Sequence, residues 1–240
     1  MTDLFIQWGN FLFHTRNVLF PVLTILLLLL FPPVPMGDTA GQLSLWLGFI
    51  LLAVGETLRI VTIGLAYIIR GGRQRRIYAE KLVTDGMFSH SRNPLYLGNI
   101  LVTSSFFFIA GNPLGMLIGS LMFVVIYSLI VRSEEHFLGT LFGQAYQDFC
   151  HDVPRWFPRL TGITETIANY KFDWQGVIVK EHGTIVVSLL TPLAIISWKL
   201  HLVGRLAENA VLIISLAVFV LAVYSTTRFL KKTRRLQSSR

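Results

Sequence analysis

The feature that most constrains this chain is a set of long apolar runs separated by short polar segments. Most of the runs approach or exceed the ~17–25 apolar residues that a helix needs to cross a bilayer. The runs are residues 17–31, 43–69, 95–110, 114–131, 181–198 and 206–229. Because backbone polar groups must be satisfied within each spanning segment, the sequence predicts an all-α polytopic membrane bundle of about six transmembrane helices.

The distribution of charge indicates how such a bundle is oriented. Only 14% of the residues are charged, and the formal net charge is +8. In a soluble protein this basicity would suggest nucleic acid, but here the basic residues lie between the apolar runs. If both termini share one side, all of the 21 Lys and Arg residues except Arg59, Lys199 and Arg205 lie on that side. The asymmetry predicts cytoplasmic termini in an integral membrane protein, in the plasma or inner membrane if bacterial.

Two polar clusters flank an apolar hairpin in the middle of the chain. Residues 91–98 precede one run and residues 132–135 follow the next, with a Gly-Asn-Pro turn at 111–113 between the runs. Residues 132–151 carry apolar side chains at helical spacing and are predicted to continue the fourth span as an interfacial helix ending before Pro154. A hairpin of this kind would bring both clusters to the cytoplasmic face.

Ionisable residues also occur inside the second run and just after it. Glu56 and Arg59 are three positions apart and are expected either to pair with each other or to line a polar cavity. The basic segment 70–76 is expected to contact lipid head groups, with an anion-binding loop as the alternative. The single cysteine, Cys150, allows no internal disulfide.

The side chains of the two clusters suit recognition of a small polar cofactor. Glu134 and Glu135 can accept hydrogen bonds from a ribose or ammonium group and oppose a sulfonium charge. Arg92 can hold a carboxylate through two hydrogen bonds. Tyr96 and Tyr146 offer an aromatic ring or a hydroxyl. A water-soluble cofactor could therefore bind here while a lipophilic substrate arrives from the bilayer.

The order of these motifs resembles the isoprenylcysteine carboxyl methyltransferase and phospholipid methyltransferase superfamily over residues 82–159. The resemblance rests on Leu82-x-Thr84-x-Gly86, Arg92-Asn93-Pro94-x-Tyr96-x-Gly98, Glu134-Glu135, Phe142-Gly143-x-x-Tyr146 and Val153-Pro154-Arg155. It implies an integral membrane enzyme that uses S-adenosylmethionine to methylate a lipophilic or lipidated acceptor. An isoprenylcysteine-type carboxylate is the first expectation, and a phospholipid amine is the next.

The resemblance also implies roles for individual residues. Arg92, Asn93 and Glu135 are expected to be catalytic, in the sense of positioning cofactor or acceptor. The expected cofactor-binding residues are Asn93, Tyr96, Gly98, Glu134, Glu135, Tyr146 and Arg155. Gly98 would permit close approach of the cofactor or of a helix, and Arg155 would close the pocket or bind a lipid phosphate. No metal is expected.

This chain departs from the family pattern in two ways. Asn93 stands where the family more often has His. Because an amide does not titrate near neutral pH, Asn93 is expected to position the cofactor and not to act as an acid or base. The chain also continues for about 80 residues beyond the family core. The predicted organisation is a two-span region with a basic cytoplasmic loop at 1–81, a methyltransferase core at 82–159, and a connector with two extra spans at 160–240.

Three other classes compete with this interpretation. A sterol-type membrane reductase would use a similar cytoplasmic pocket for NADPH. A non-catalytic membrane scaffold or carrier would need none of the polar residues for chemistry. A metal site is conceivable from the acidic and histidine residues between 134 and 152, although they match no recognised ligand spacing.

Overall fold

The computed structural model describes residues 2–35, 37, 39–66, 77–233 and 235–236. Its helices are α1 Thr2–Leu30, α2 Thr39–Leu65, α3 Pro94–Ala110, α4 Pro113–Phe142, α5 Gln144–Asp152, α6 Ile163–Asn169, α7 Trp174–Leu202 and α8 Leu206–Lys232. A short 3₁₀ turn, Gly86–Ser89, precedes α3. The predicted all-α membrane bundle is confirmed, and the basic segment 70–76 lies outside the described residues.

Five described helices are long and apolar enough to cross a membrane: α1, α2, α4, α7 and α8. The predicted third span corresponds to α3, which is apolar but has only 17 residues. The spans extend beyond several predicted bounds, most clearly in α1, which begins at Thr2, and in α7, which begins at Trp174. Polar residues at these ends are helical too, which the apolar runs alone could not indicate.

The turn between α3 and α4 has the predicted position. Gly111 ends α3 in the left-handed region at φ 80°, which glycine adopts without strain. The Asn112 side chain then accepts hydrogen bonds from the backbone of Leu114 and Gly115 at 3.1 and 3.2 Å, and Pro113 occupies the first turn of α4. These contacts fix an antiparallel hairpin, whose open end carries both polar clusters.

The interfacial helix differs from the prediction in one respect. α4 continues without a break through residues 132–135 to Phe142, as expected. At Gly143 the backbone has φ 54° and ψ −123°, so the helix is interrupted and α5 starts at Gln144 in a new direction. Residues 132–151 are therefore two helices and not one. A glycine was needed for this backbone conformation.

The helices pack around an aromatic core. Phe20 of α1 meets Phe123 and Tyr127 of α4 edge to face, with ring centroids 5.5 and 5.2 Å apart. Phe107 of α3 lies 6.1 Å from Phe123. α1 packs mainly on α4 and α2 packs mainly on α3, while α7 contacts α2, α3 and α8. α8 packs on α7 and buries none of its own residues.

The charged residues of α2 have partners on α7. Arg59 Nη2 lies 2.7 Å from Glu181 Oε2, and Arg59 Nη1 donates to Asn99 of α3. Glu56 accepts a hydrogen bond from Ser188. The pairing observed for Arg59 thus reaches across helices, whereas the sequence suggested pairing with Glu56 within α2. The other expectation, that these residues line a cavity, is confirmed for Arg59.

Lys199 supplies a second link between α7 and the hairpin. Its side chain is buried, and Nζ donates to the carbonyl of Ile109 at 2.7 Å, in the last turn of α3. A cation at a helix C-terminus interacts favourably with the unpaired carbonyls there. α7 is therefore joined to the core by polar contacts near both of its ends.

Candidate functional site

The α3–α4 hairpin brings the two polar clusters together. Arg92 and Asn93 directly precede α3, and Glu135 lies beyond the apolar part of α4. Arg92 Nη1 is 3.5 Å from Glu135 Oε1, and Asn93 Nδ2 donates to the same oxygen at 3.4 Å. The expected meeting of residues 91–98 and 132–135 is thus observed.

Arg155 completes the arrangement around Glu135. Its Nη2 lies 2.7 Å from Glu135 Oε2 and its Nε donates to Oε1 at 3.1 Å, which is a two-point ion pair. Asn93 Nδ2 also donates to the backbone carbonyl of Arg155 at 3.1 Å. These contacts place Arg155 beside Glu135, and the two roles expected for it, closing the pocket and binding a lipid phosphate, stay predictions.

Residues 153–159 run alongside residues 89–93 and are fixed to them by hydrogen bonds. Arg92 N donates to the Pro154 carbonyl at 2.9 Å, and Ser91 Oγ donates to the Trp156 carbonyl at 2.7 Å. His90 Nδ1 donates to the Arg159 carbonyl at 2.8 Å, so its Nε2 accepts from Thr166 Oγ1. The sequence analysis did not single out His90, since nothing in its surroundings indicates a partner 69 residues away.

Glu134 faces away from Glu135, towards α1. Successive residues of an α-helix differ in direction by about 100°, so the two carboxylates meet different partners. Glu134 is half-buried, close to the Tyr96 hydroxyl and to the Arg16 guanidinium. Arg16 was counted in the sequence only as a charge near the first span. The signal in the sequence that could have identified Arg16 as a site residue was its position one turn before the most apolar part of α1.

Tyr146 of α5 lies beside this ion-paired cluster. Its burial, and then the negative charge of Glu135, raise the pKa of the Tyr146 hydroxyl well above its ordinary value. The hydroxyl therefore keeps its proton near neutral pH and acts as a hydrogen-bond donor. Cys150, one turn further along α5, accepts a hydrogen bond from Arg92 Nη1 at 2.8 Å.

Gly98 serves helix packing. A Cβ at this position would lie 2.5 Å from Arg59 Cγ and 2.9 Å from the carbonyl oxygen of Gly55. The close approach of α2 to α3 therefore requires glycine here. Of the two expectations for Gly98, close approach of a helix is observed, and its contact with a cofactor stays a prediction.

A large cavity extends from the ion-paired cluster into the apolar part of the bundle. Its volume is about 1030 Å³, at the upper end of the range of ligand pockets. Six of the predicted site residues line its polar part: Arg92, Asn93, Tyr96, Glu134, Glu135 and Tyr146. Its apolar part is lined by side chains of α1, α3, α4 and α7, including Phe20, Leu28, Phe106 and Ile195.

The two C-terminal spans differ in their relation to this cavity. α7 lines it with one face, from Gly183 to Trp198, whereas α8 contributes no lining residue. Of the two spans beyond the family core, α7 therefore shapes the cavity, and a role of these spans in binding an acceptor stays a prediction. Among the described residues, no group of three or more His, Cys, Asp or Glu is arranged to hold a metal ion.

Comparison with known proteins finds a family match over part of the chain. Residues 43–145, which contain most of α2 and all of α3 and α4, match the phospholipid methyltransferase family. The protein-S-isoprenylcysteine O-methyltransferase of Schizosaccharomyces pombe is 30% identical over 118 residues, covering 47% of this chain and 48% of that protein. The matched segment is thus similar to both phospholipid methyltransferases and isoprenylcysteine O-methyltransferases. The resemblance predicted from the motifs is thereby confirmed.

Two further relatives match a similar length of this chain, and one of them has a different name. Protein-S-isoprenylcysteine O-methyltransferase B of Arabidopsis thaliana is 27% identical over 116 residues, covering 46% of this chain and 57% of that protein. The nickel-cobalt-cadmium resistance protein NccN of Alcaligenes xylosoxydans xylosoxydans is 29% identical over 119 residues, covering 48% and 54%. This chain therefore spans about half the length of the curated relatives it matches. No solved structure matches it significantly.

Proposed function

We propose that this protein is an integral membrane methyltransferase that transfers a methyl group from S-adenosylmethionine to a lipophilic acceptor. The observation that carries the proposal is one continuous cavity with a polar part built from Arg92, Asn93, Glu134 and Glu135 and an apolar part inside the bundle. Such a cavity suits a reaction between a water-soluble donor and a membrane-dissolved acceptor. The positive-inside distribution of Lys and Arg supports a cytoplasmic position for the polar part.

The residues of the polar part fit S-adenosylmethionine. Arg92 Nε is buried and donates to no described residue, so it can bind the cofactor's carboxylate. Glu134 and Glu135 add two carboxylates to the cavity lining, which could compensate the ammonium and sulfonium charges of the cofactor. When bound, the cofactor supplies an electrophilic methyl group. Tyr96 and Tyr146 add hydroxyl groups and rings along the same wall.

The protein's own contribution would be positioning and exclusion of water. The ion pairs of Glu135 with Arg92 and Arg155 fix these side chains before any ligand binds, which limits the loss of conformational freedom on binding. Alignment of donor and acceptor then accounts for much of the rate enhancement in a direct displacement. Asn93 acts by donating hydrogen bonds to Glu135 and to the Arg155 carbonyl.

An isoprenylcysteine-type carboxylate is the proposed acceptor, followed by a phospholipid amine. A carboxylate attacks the methyl group without losing a proton, whereas an ammonium group must first be deprotonated. Asn93 cannot accept that proton, because an amide does not titrate near neutral pH. The name of the S. pombe relative points in the same direction.

The acceptor can be tested with S-adenosylmethionine carrying a tritiated methyl group. Purified protein in lipid nanodiscs would be offered a farnesylated cysteine derivative with a free carboxylate or, separately, phosphatidylethanolamine. We expect a base-labile methyl ester on the first acceptor and little transfer to the second. Transfer to the amine alone would overturn the order of the acceptors. Transfer to neither acceptor, together with no binding of S-adenosylmethionine, would overturn the function.

A further inference from the structure

One face of α1 both lines the cavity and reaches the outer surface of the bundle. Among the α1 residues that line the cavity, one set recurs at every fourth position: Phe13, Asn17, Pro21, Ile25 and Leu29. Residues four apart lie on one face of an α-helix. Phe13 is buried, but the other four are exposed on the outside of the protein. The cavity wall formed by α1 is therefore also an edge of an opening.

α7 has a matching stripe. Gly183, Val187 and Ala194 line the cavity and are exposed on the outside, again at helical spacing. A Cβ added at Gly183 would meet no atom within 4 Å, so this part of the stripe faces open space. α7 thus forms an edge of the same kind as α1.

These two edges face each other across a gap. α1 packs on α4, and α7 packs on α2, α3 and α8, while direct contact between α1 and α7 is at most marginal. The floor between them is α3, whose Val102 and Phe106 line the cavity and are only 5% and 3% exposed. We call this opening the α1–α7 slot, defined by Pro21, Ile25, Leu29, Gly183, Val187 and Ala194.

The wall on the α7 side is held in place by polar contacts. The Arg59–Glu181 ion pair joins α7 to α2 two residues before Gly183, and Lys199 bonds the end of α3 beyond Ala194. Contacts on both sides of the stripe keep α7 at a fixed position. The slot is therefore built into the fold.

We propose that the α1–α7 slot is the place where a lipid hydrocarbon chain passes from the bilayer into the cavity and lies against α3. The slot opens where a membrane surrounds the bundle, its exposed lining is almost entirely apolar, and it is continuous with the ion-paired cluster. That the chain belongs to the methyl acceptor rests on the proposed function. α7 lies outside the family-matched residues 43–145, so acceptor choice in this protein would be determined largely by a helix that the family match does not include.

A photoactivatable lipid tests this directly and needs no activity. The protein would be reconstituted in phosphatidylcholine vesicles containing a fatty acid with a diazirine on its chain, irradiated, and analysed by peptide mass spectrometry. We expect labelling at Val102 and Phe106, which a lipid can reach only from inside the slot. Absence of label at these two residues, with the outer face of α8 labelled normally, would overturn the proposal.

Substitutions on α7 provide the matched control. Val187 and Leu189 are 52% and 50% exposed, but only Val187 lines the cavity. Val187→Trp should fill the slot and reduce the α3 label about tenfold, because the larger indole side chain would occupy the space through which the lipid chain passes. Leu189→Trp should leave the label within about twofold of the original protein, since it faces lipid. Equal effects of the two variants would contradict the proposal.

Binding of S-adenosylmethionine to the same samples separates this inference from the proposed function. Label on α3 without cofactor binding would support the slot as a lipid site and overturn the methyltransferase. Cofactor binding without label on α3 would support the methyltransferase and overturn the slot. Val187→Trp is a valid test only if it still binds the cofactor, as Leu189→Trp should. If it does not, Ala194→Trp, about two turns further along α7, is used in place of Val187→Trp.

Discussion

At the scale of single residues, the site is organised by one carboxylate. The carboxylate oxygens of Glu135 lie 2.7 Å from Arg155 Nη2 and 3.5 Å from Arg92 Nη1, and one of them accepts a hydrogen bond from the Asn93 amide at 3.4 Å. These partners come from two separate segments of the chain, so Glu135, near the end of α4, joins the start of α3 to residues 153–159. Asn93 works here as a donor, which explains why this position does not require a titrating His.

Tyr146 gives a prediction about pH at the same scale. Its pKa is raised by burial and by Glu135, so the folded protein retains a proton that the unfolded chain releases near pH 10. Stability from this group is therefore complete below about pH 10 and is lost as pH rises further. Tyr146→Phe should flatten the alkaline fall of the thermal midpoint, measured in detergent. The raised pKa predicts that the thermal midpoints of the two proteins diverge only above the ordinary tyrosine pKa. A difference in thermal midpoint that stays constant from pH 8 to about pH 11 would contradict this prediction.

At the scale of helices, the link between α2 and α7 is a buried ion pair. Arg59 and Glu181 are 2% and 0% exposed, and their closest approach is 2.7 Å. Removing one partner of a buried pair leaves an uncompensated charge, which costs far more than replacing both with apolar residues. The pair should therefore specify where α7 sits, while adding little stability relative to apolar residues at both positions.

Glu181→Gln should lower the free energy of unfolding by about 3–5 kcal/mol, and the double variant Arg59→Met/Glu181→Leu should cost considerably less. Thermal unfolding of both proteins in detergent, followed by tryptophan fluorescence, gives the comparison. If the double variant unfolds as early as Glu181→Gln, the pair is stabilising in itself and this account of it is wrong.

The helices were largely predictable from the sequence, but their partners were not. Apolar runs and the Gly111-Asn112-Pro113 turn were sufficient to place α3 and α4, because these signals are local. The break at Gly143 was missed, since glycine also occurs within helices and only its backbone angles show the change of direction. The Arg59–Glu181 pair joins residues 122 positions apart, and no local pattern reports which helices become neighbours.

The candidate site was likewise predictable from the sequence only in part. The two clusters were predicted to meet because a hairpin returns to the same membrane face. Arg16, His90 and the lining residues of α7 were not predicted, because each reaches the site only through packing of distant segments. The family-matched residues 43–145 contain Glu135 and Asn93 but neither Arg155 nor α7, so the complete cavity becomes evident only in the folded chain.

At the scale of the whole molecule, the arrangement is a membrane bundle with a polar site at one end and a lateral opening along its side. α1, α3, α4 and α7 surround the cavity, and α8 packs outside on α7. The positive-inside rule predicts that the site and both termini are cytoplasmic, and with that orientation the turn between α7 and α8 should lie on the opposite side.

This orientation can be tested with single thiols. In a Cys150→Ala background, Val203→Cys in the α7–α8 turn and Thr161→Cys before α6 both introduce a thiol at an exposed position. In vesicles with the cytoplasmic side inward, a membrane-impermeant maleimide should label position 203 and leave position 161 unlabelled until detergent is added. The reverse labelling pattern would invert the predicted topology.

The most direct test of the central claim is equilibrium binding of S-adenosylmethionine to the detergent-purified protein. NADPH is measured in parallel, with Glu135→Gln as the site variant and Glu165→Gln on the surface of α6 as its control. We expect saturable binding of S-adenosylmethionine. Glu135→Gln should weaken this binding about tenfold or more, because charge-assisted contacts are lost, and Glu165→Gln should leave it unchanged. Binding of NADPH in place of S-adenosylmethionine, or equal effects of the two substitutions, would contradict this expectation.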